Sequence, residues 1–186
     1  MLYGKTCQEV VSVAQSDGTA VTAAAATTLL PTHAKFTFPA NTFNQIGQQV
    51  LITASGRISS VITTPGTARF DWRLGGTAVF DGLATLLDTV AAHTNVGWWL
   101  QILLTLEIVG NAAKFFGQGF WACEDIIGRP AGTPQGSLLA ILPWNSAPAQ
   151  GTAFDATTSL QSDLQFTQTV ATGSCTLHQY SLSLLN

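Results

Sequence analysis

The sequence predicts an all-β protein, an antiparallel sandwich or barrel, from three observations. Apolar and polar residues alternate at a period of two over segment after segment, turn-forming clusters divide those segments, and no helical pattern alternates with them. A period of two marks a strand with one face toward a core. The missing strand–helix–strand rhythm argues against a parallel-sheet enzyme fold. Counting the segments gives about eight to ten strands.

Val50, Ile52, Ala54, Gly56, Ile58, Ser60 and Ile62 fall on one face of the first long segment, opposed by Thr53, Ser55, Arg57 and Ser59. Ala68, Phe70, Trp72 and Leu74 alternate in the same parity against Arg69, Asp71 and Arg73. With Thr64-Pro65-Gly66-Thr67 between them, the two segments read as a hairpin closed by a longer or bulged turn. Trp98, Leu100, Ile102, Leu104, Leu106 and Ile108 form an unbroken apolar stripe, while the opposite set (Trp99, Gln101, Leu103, Thr105, Glu107, Val109) is mixed, as in a central strand covered in part on its second face. Lys114 to Cys123 follows, with Phe120 assigned inward and Gly117 and Gly119 marking a bulge or a close backbone approach. Leu138 to Leu142, Leu160 to Val170 and Cys175 to Leu184 complete the strands. In the second of these Leu160, Ser162, Leu164 and Phe166 share the inner face, and Gln168 marks where the strand leaves the core.

Shorter segments carry weaker signals. Lys35 to Phe38 reads as a brief strand with Phe36 and Phe38 inward, Pro39 to Asn44 as a turn of helix, and Leu83 to His93 as a strand in preference to a helix. Gly128 to Gly136 and Asn145 to Gly151 are loops. Residues 1–31 differ from the rest. Ser16-Asp17-Gly18-Thr19 interrupts their apolar residues, and they read as an N-terminal arm or a first hairpin, with residues 32–186 as a single sandwich domain.

Composition narrows the function. Only 9% of residues are charged, against roughly 25% in an ordinary soluble domain. Disorder does not explain this, because 46% of the chain is hydrophobic. The surface must therefore be clothed in Thr, Ser, Gln, Asn, Gly and Ala, which leaves little charge to keep copies apart and suits a protein packed against neighbours. With a net charge of −3 and a pI near 5.4, the composition excludes a basic nucleic-acid stripe and a polybasic lipid patch. The longest apolar run is too short for a membrane span, and the start of the chain lacks the apolar core of a signal peptide.

Chemistry-bearing patterns are sparse. Cys7, Cys123 and Cys175 have neither disulfide-framework nor zinc spacing and read as buried thiols in a reducing cytosol. None of the zinc-protease, phosphate-loop, serine-hydrolase or calcium-loop signatures occurs, and no catalytic residue, cofactor or metal site is expected. His33, His93 and His178 read as hydrogen-bonded structural histidines, and Glu124-Asp125, Asp81 and Asp88 as solvated carboxylates in preference to a cation site. Trp99, Trp121 and Trp144 stand off the core parity or near a loop. Packing of a loop on the second face is the first reading for them; among functional readings a subunit contact is favoured, with a sugar platform as the alternative. Arg57 with the row Arg69, Asp71, Arg73 makes a charged outer face, either solvated or setting register against a partner. Tyr3, Val10 and Val13 are the apolar contacts an arm would offer.

Thr28-Leu-Leu-Pro31, Lys35-Phe-Thr-Phe-Pro-Ala-Asn41, Ala54-Ser-Gly-Arg-Ile-Ser59, Thr63-Thr-Pro-Gly-Thr67, Thr94-Asn95 ahead of Trp98, and Leu177-His-Gln-Tyr180 together form a pattern. From about Ala20 to the C-terminus the chain resembles a set of small tailed-bacteriophage virion proteins. That resemblance implies a jelly-roll-like sandwich without catalytic residues, a head decoration or cement protein assembled in the host cytoplasm onto the head surface. Its implied partners are copies of itself, trimers being common, and the major capsid protein. A receptor- or glycan-binding module at the tail or fibre tip is the alternative.

Overall fold

The computed structural model describes residues 8–127 and 137–185. In order along the chain, the strands are β1 (Gln8–Val13), β2 (Thr27–Thr28), β3 (Thr37–Phe38), β4 (Gln49–Ser60), β5 (Thr67–Leu74), β6 (Thr77–Asp81), β7 (Thr85–Leu86), β8 (His93–Ile108), β9 (Lys114–Ile127), β10 (Ser137–Leu142), β11 (Leu160–Gln168) and β12 (Ser174–Leu185). They form a six-stranded sheet in the order β1-β12-β4-β8-β9-β10 and a smaller one in the order β2-β11-β5-β6, with β3 on β11 and β7 on β5. Every pairing among these strands is antiparallel, and the molecule is a β-sandwich.

Alternation builds both inner faces. In β4 every even position from Val50 to Ser60 is buried; Ile62, past the strand end, is exposed. In β5 and β11 Phe70, Trp72, Leu74, Leu160, Leu164 and Phe166 point inward. The Phe70 ring lies 5.3 Å from Trp98, 5.3 Å from Trp121 and 5.2 Å from Phe166, so one aromatic ties both sheets together. A second cluster joins Phe38, Phe43, Phe115 and Phe154 at one end. Tyr180 brings a hydroxyl into this apolar interior. Burial pushes its pKa far up, against the opposing pull of the Trp72 indole and the Ser162 hydroxyl beside it.

β4 and β5 do not form a hairpin. β4 lies between β12 and β8 in the larger sheet, whereas β5 lies between β11 and β6 in the smaller one, and Thr64-Pro65-Gly66-Thr67 crosses between layers. Two strands facing each other across a sandwich share inward parity just as two neighbours do, so parity cannot separate the cases. The crossing is pinned by Gly66 at a φ of 71° and by the Thr67 amide donating to the Thr169 hydroxyl at 2.9 Å.

Residues 8–31 are shared between the sheets. β1 pairs with β12 as an edge of the larger sheet, Val21 bridges Cys175, and β2 pairs with β11 in the smaller sheet. The described part of the segment is thus two short extended pieces lying on the domain and not a hairpin closed on itself. Three local expectations are also corrected. Pro39 to Asn44 is a turn, and the short helical turn lies earlier, at Thr32–Ala34. Of Leu83 to His93, only Thr85–Leu86 and the last residue are in strands. The loop at Gly128 to Gly136 lies outside the described residues.

The resembling motifs fall on structural positions. Leu29 and Leu30 are buried, and the Thr28 hydroxyl and Lys35 ammonium both donate to Asp163. A Cβ on Gly56 would stand 1.9 Å from the Thr176 carbonyl, and Leu177 to Gln179 is the bulge at which β12 bends against β4.

Candidate functional site: the outer face of the six-stranded sheet

Outward positions on the larger sheet follow from its register. Ser55, Trp99 and Ala122 form one row, Thr53, Gln101, Phe120 and Ile141 the next, then Leu51, Leu103 and Gln118, then Gln49, Thr105 and Phe116. On the far side Gln179, Ser181 and Ser183 of β12 extend the first three rows, and Val13 and Val10 of β1 lie beside Ser181 and Ser183. Among the described residues, these four rows hold no charged side chain. Their large apolar groups are open: Trp99 is 50% exposed and Ile141 51%, and Leu103 and Phe116 are also exposed. An ordinary solvated sheet face would place Lys, Glu or Arg at such positions.

The face is ridged. A groove of about 510 Å³ is lined by Leu51, Leu103, Phe116, Phe120 and Ile141, with Gln101, Thr105 and Gln118 supplying amides and a hydroxyl. Trp99 stands between two further hollows, one bounded by Gly97, Ala122 and Leu138, the other by Val13, Ser55, Gln179 and Ser181. Arg57 sits at one end of the face, with a guanidinium nitrogen 3.5 Å from the Asn95 carbonyl, and Glu107 at the other, accepting from Gln150 at 2.8 Å.

The other sheet presents a different surface. Arg69, Asp71 and Arg73 project together from β5, and Asp71 is fully buried beneath the two guanidinium groups, at 2.7 Å from Arg69 and 2.9 Å from Arg73. Arg69 also reaches Asp81 at 2.7 Å, and Lys35 pairs with Asp163 at 3.3 Å. This charge is consumed within the molecule. Arg57 belongs to the opposite sheet, so the expected single charged row is two separate features.

Of the sequence-predicted contacts, Val10, Val13 and Trp99 come together on the uncharged face, with Arg57 at its end. Tyr3 lies outside the described residues. Trp121 is 0% exposed and packs on Phe70, and Trp144 is half-buried against the core with its amide donating to the Gly82 carbonyl. A three-tryptophan sugar platform is therefore not assembled. The error at Trp121 has a clear origin. The inward positions of β9 are Phe115, Gly117, Gly119, Trp121 and Cys123, and two glycines break the apolar stripe, while Phe116 and Phe120 on the outer side imitate one. Gly117 is small because a Cβ there would stand 2.4 Å from Leu104 and 2.8 Å from Phe80. Phe120 accordingly faces the groove. Leu51, Phe116 and Ile141 lie on other strands than the charge-free stretch from residue 97 to 106, and only cross-strand register brings them beside it.

Each of the three histidines has a hydrogen-bond partner. His93 pairs with Asp88 at 2.9 Å, His178 with Asp17 at 2.8 Å, and the His33 ring accepts the Gln15 amide at 3.0 Å. Burial acts to raise the Asp88 pKa, but the hydrogen bond from His93 and those from the Val90 and Ala91 amides outweigh it and hold the carboxyl below its ordinary value. Burial drives the Cys175 thiol well up, with Cys123 adding to the shift. Among the described residues, no three His, Cys, Asp or Glu side chains gather as metal ligands. The side chains of Glu124 and Asp125 lie outside the described residues.

No helix among the described residues is long and apolar enough to cross a membrane. Compared with known protein families, curated proteins and solved structures, the chain matches none.

Proposed function

We propose that this chain is a non-enzymatic structural subunit that works by contact, and that its setting is a phage particle, as a decoration or cement protein on the head. The observation that carries the reading is the uncharged, apolar outer face of the six-stranded sheet. Burying Trp99, Leu103, Phe116 and Ile141 against protein would gain about 25 cal/mol for each Å² removed from water. No charge would have to be desolvated within the four rows, and the Gln, Ser and Thr groups among them must keep hydrogen-bond partners across the contact. The resemblance to virion proteins supplies the setting.

A subunit that binds an assembled shell and not its dissociated parts stabilises the shell by mass action. Titrating the purified chain into empty phage heads tests this. Saturable co-sedimentation, with on the order of hundreds of copies per head and a raised disruption temperature, is the expected result. A copy number of about a dozen or fewer would place the protein in the tail, and no binding at all would remove the head assignment.

A further inference from the structure

We propose that the occupant of this face is a second copy of the same chain, the two six-stranded sheets packing face to face about a two-fold axis that runs across the strands. The inference rests on the contact reading above and names its partner.

Area is the first support. Six strands at about 4.8 Å spacing and four rows at about 6.8 Å give a patch of roughly 25 Å by 20 Å. The named residues fill about three quarters of that frame, so two such patches remove on the order of 1,000 Å² from water once protruding side chains are counted, near the lower bound for a specific interface. Register is the second. Successive outward rows on β8 are Trp99, Gln101, Leu103 and Thr105. An axis lying over the Gln101 row sets Trp99 of one copy over Leu103 of the other, and Leu103 lines the groove of about 510 Å³. The knob and the hollow are therefore on the same face, as an isologous contact requires. The same axis sets Arg57 of one copy over Gln49 of the other, two rows from Gln101 on β4, so no like charges meet there. A three-fold ring, the arrangement common in the resembling set, needs two different complementary patches on each subunit. Among the described residues, the outer face of the smaller sheet offers no second one, because Arg69, Asp71, Arg73 and Asp81 neutralise one another there.

Sedimentation equilibrium of the purified chain, followed to about 100 µM, is the test, with two variants of matched charge and circular dichroism to verify folding. Leu103→Glu places a carboxylate under the copy's Trp99, and Thr167→Glu places one beside Arg69 on the smaller sheet. The expected result is a dimer for the wild type and Thr167→Glu, and a dissociation constant weakened about thirtyfold or more for folded Leu103→Glu. If Leu103→Glu does not fold, the milder Leu103→Gln carries the comparison with the same direction. A wild type that stays monomeric, forms a trimer, or dimerises equally well with position 103 altered overturns the inference. Head binding by a monomer would leave the contact reading standing without it, and a dimer that ignores heads would remove the head assignment and leave the inference standing.

Discussion

The two outer faces of one sandwich solve the problem of facing water in opposite ways. On the smaller sheet Asp71 sits beneath Arg69 and Arg73, with Asp81 and Asp163 completing a network whose charges are matched by neighbours in the same chain. On the larger sheet Trp99, Leu103, Phe116 and Ile141 stand open among glutamines, serines and threonines. The first face is finished by its own residues. On the function proposed above, the second is finished by another surface. Of the few charged residues in the chain, Arg69, Asp71, Arg73, Asp81, Asp163 and Lys35 gather on the smaller sheet, and Arg57 and Glu107 stand only at the ends of the other face.

That contrast predicts different consequences for substitutions on the two sides. The largest effect belongs to neither outer face. Phe70→Ala removes the ring that meets Trp98, Trp121 and Phe166, and is expected to cost about 3–5 kcal/mol in denaturant unfolding. Next comes Asp71→Ala, which strips the buried partner from two arginines that are themselves partly solvated. About 2 kcal/mol of stability is lost, with association unchanged, as the same unfolding curve and a sedimentation run would show. Leu103→Ala should reverse the pattern: a loss below about 0.5 kcal/mol in the subunit, because the side chain is exposed, and a clear loss of self-association. Equal stability losses at Asp71 and Leu103 would erase the distinction between the faces.

The smallest effect is a pH dependence. The Asp88 carboxyl titrates lower in the folded chain than its ordinary value of 3.8, so its contribution is complete above that value and disappears as the pH falls through the lower folded one. Asp88→Asn should therefore flatten the acid limb of the stability–pH curve by less than about 1 kcal/mol and leave its neutral region shaped as before. An unchanged acid limb would mean that the pairing with His93 adds nothing to folding.

Strand parity was legible where large apolar side chains marked one face, as in β5 and β8, and in β11 as far as Phe166; Gln168, expected to mark where β11 leaves the core, is buried, its amide donating to the Gly173 carbonyl. Parity says which residues point inward but not which sheet they enter, and for that reason β4 and β5 looked like a hairpin. In β9 the stripe was hidden by Gly117 and Gly119, whose missing side chains are filled by Leu104 and Phe80 and by the Gln101 backbone. The inversion of Phe120 and Trp121 follows from that alone. The site was legible only in outline. Low charge is consistent with the uncharged face that the structure shows, and Trp99, Val10 and Val13 lie on it. That Leu51, Leu103, Phe116 and Ile141 join them depends on cross-strand register, a long-range property that no local window holds.

The most direct test of the account is oxidative footprinting of side chains in the assembled state, whether self-associated or bound to a head, against the dilute free chain. Protection is expected at Trp99, Leu103, Phe116 and Ile141, with none gained at the smaller sheet around Thr167 and Gln165. Protection confined to the smaller sheet, with Trp99 as reactive in the assembly as in the free chain, would contradict it.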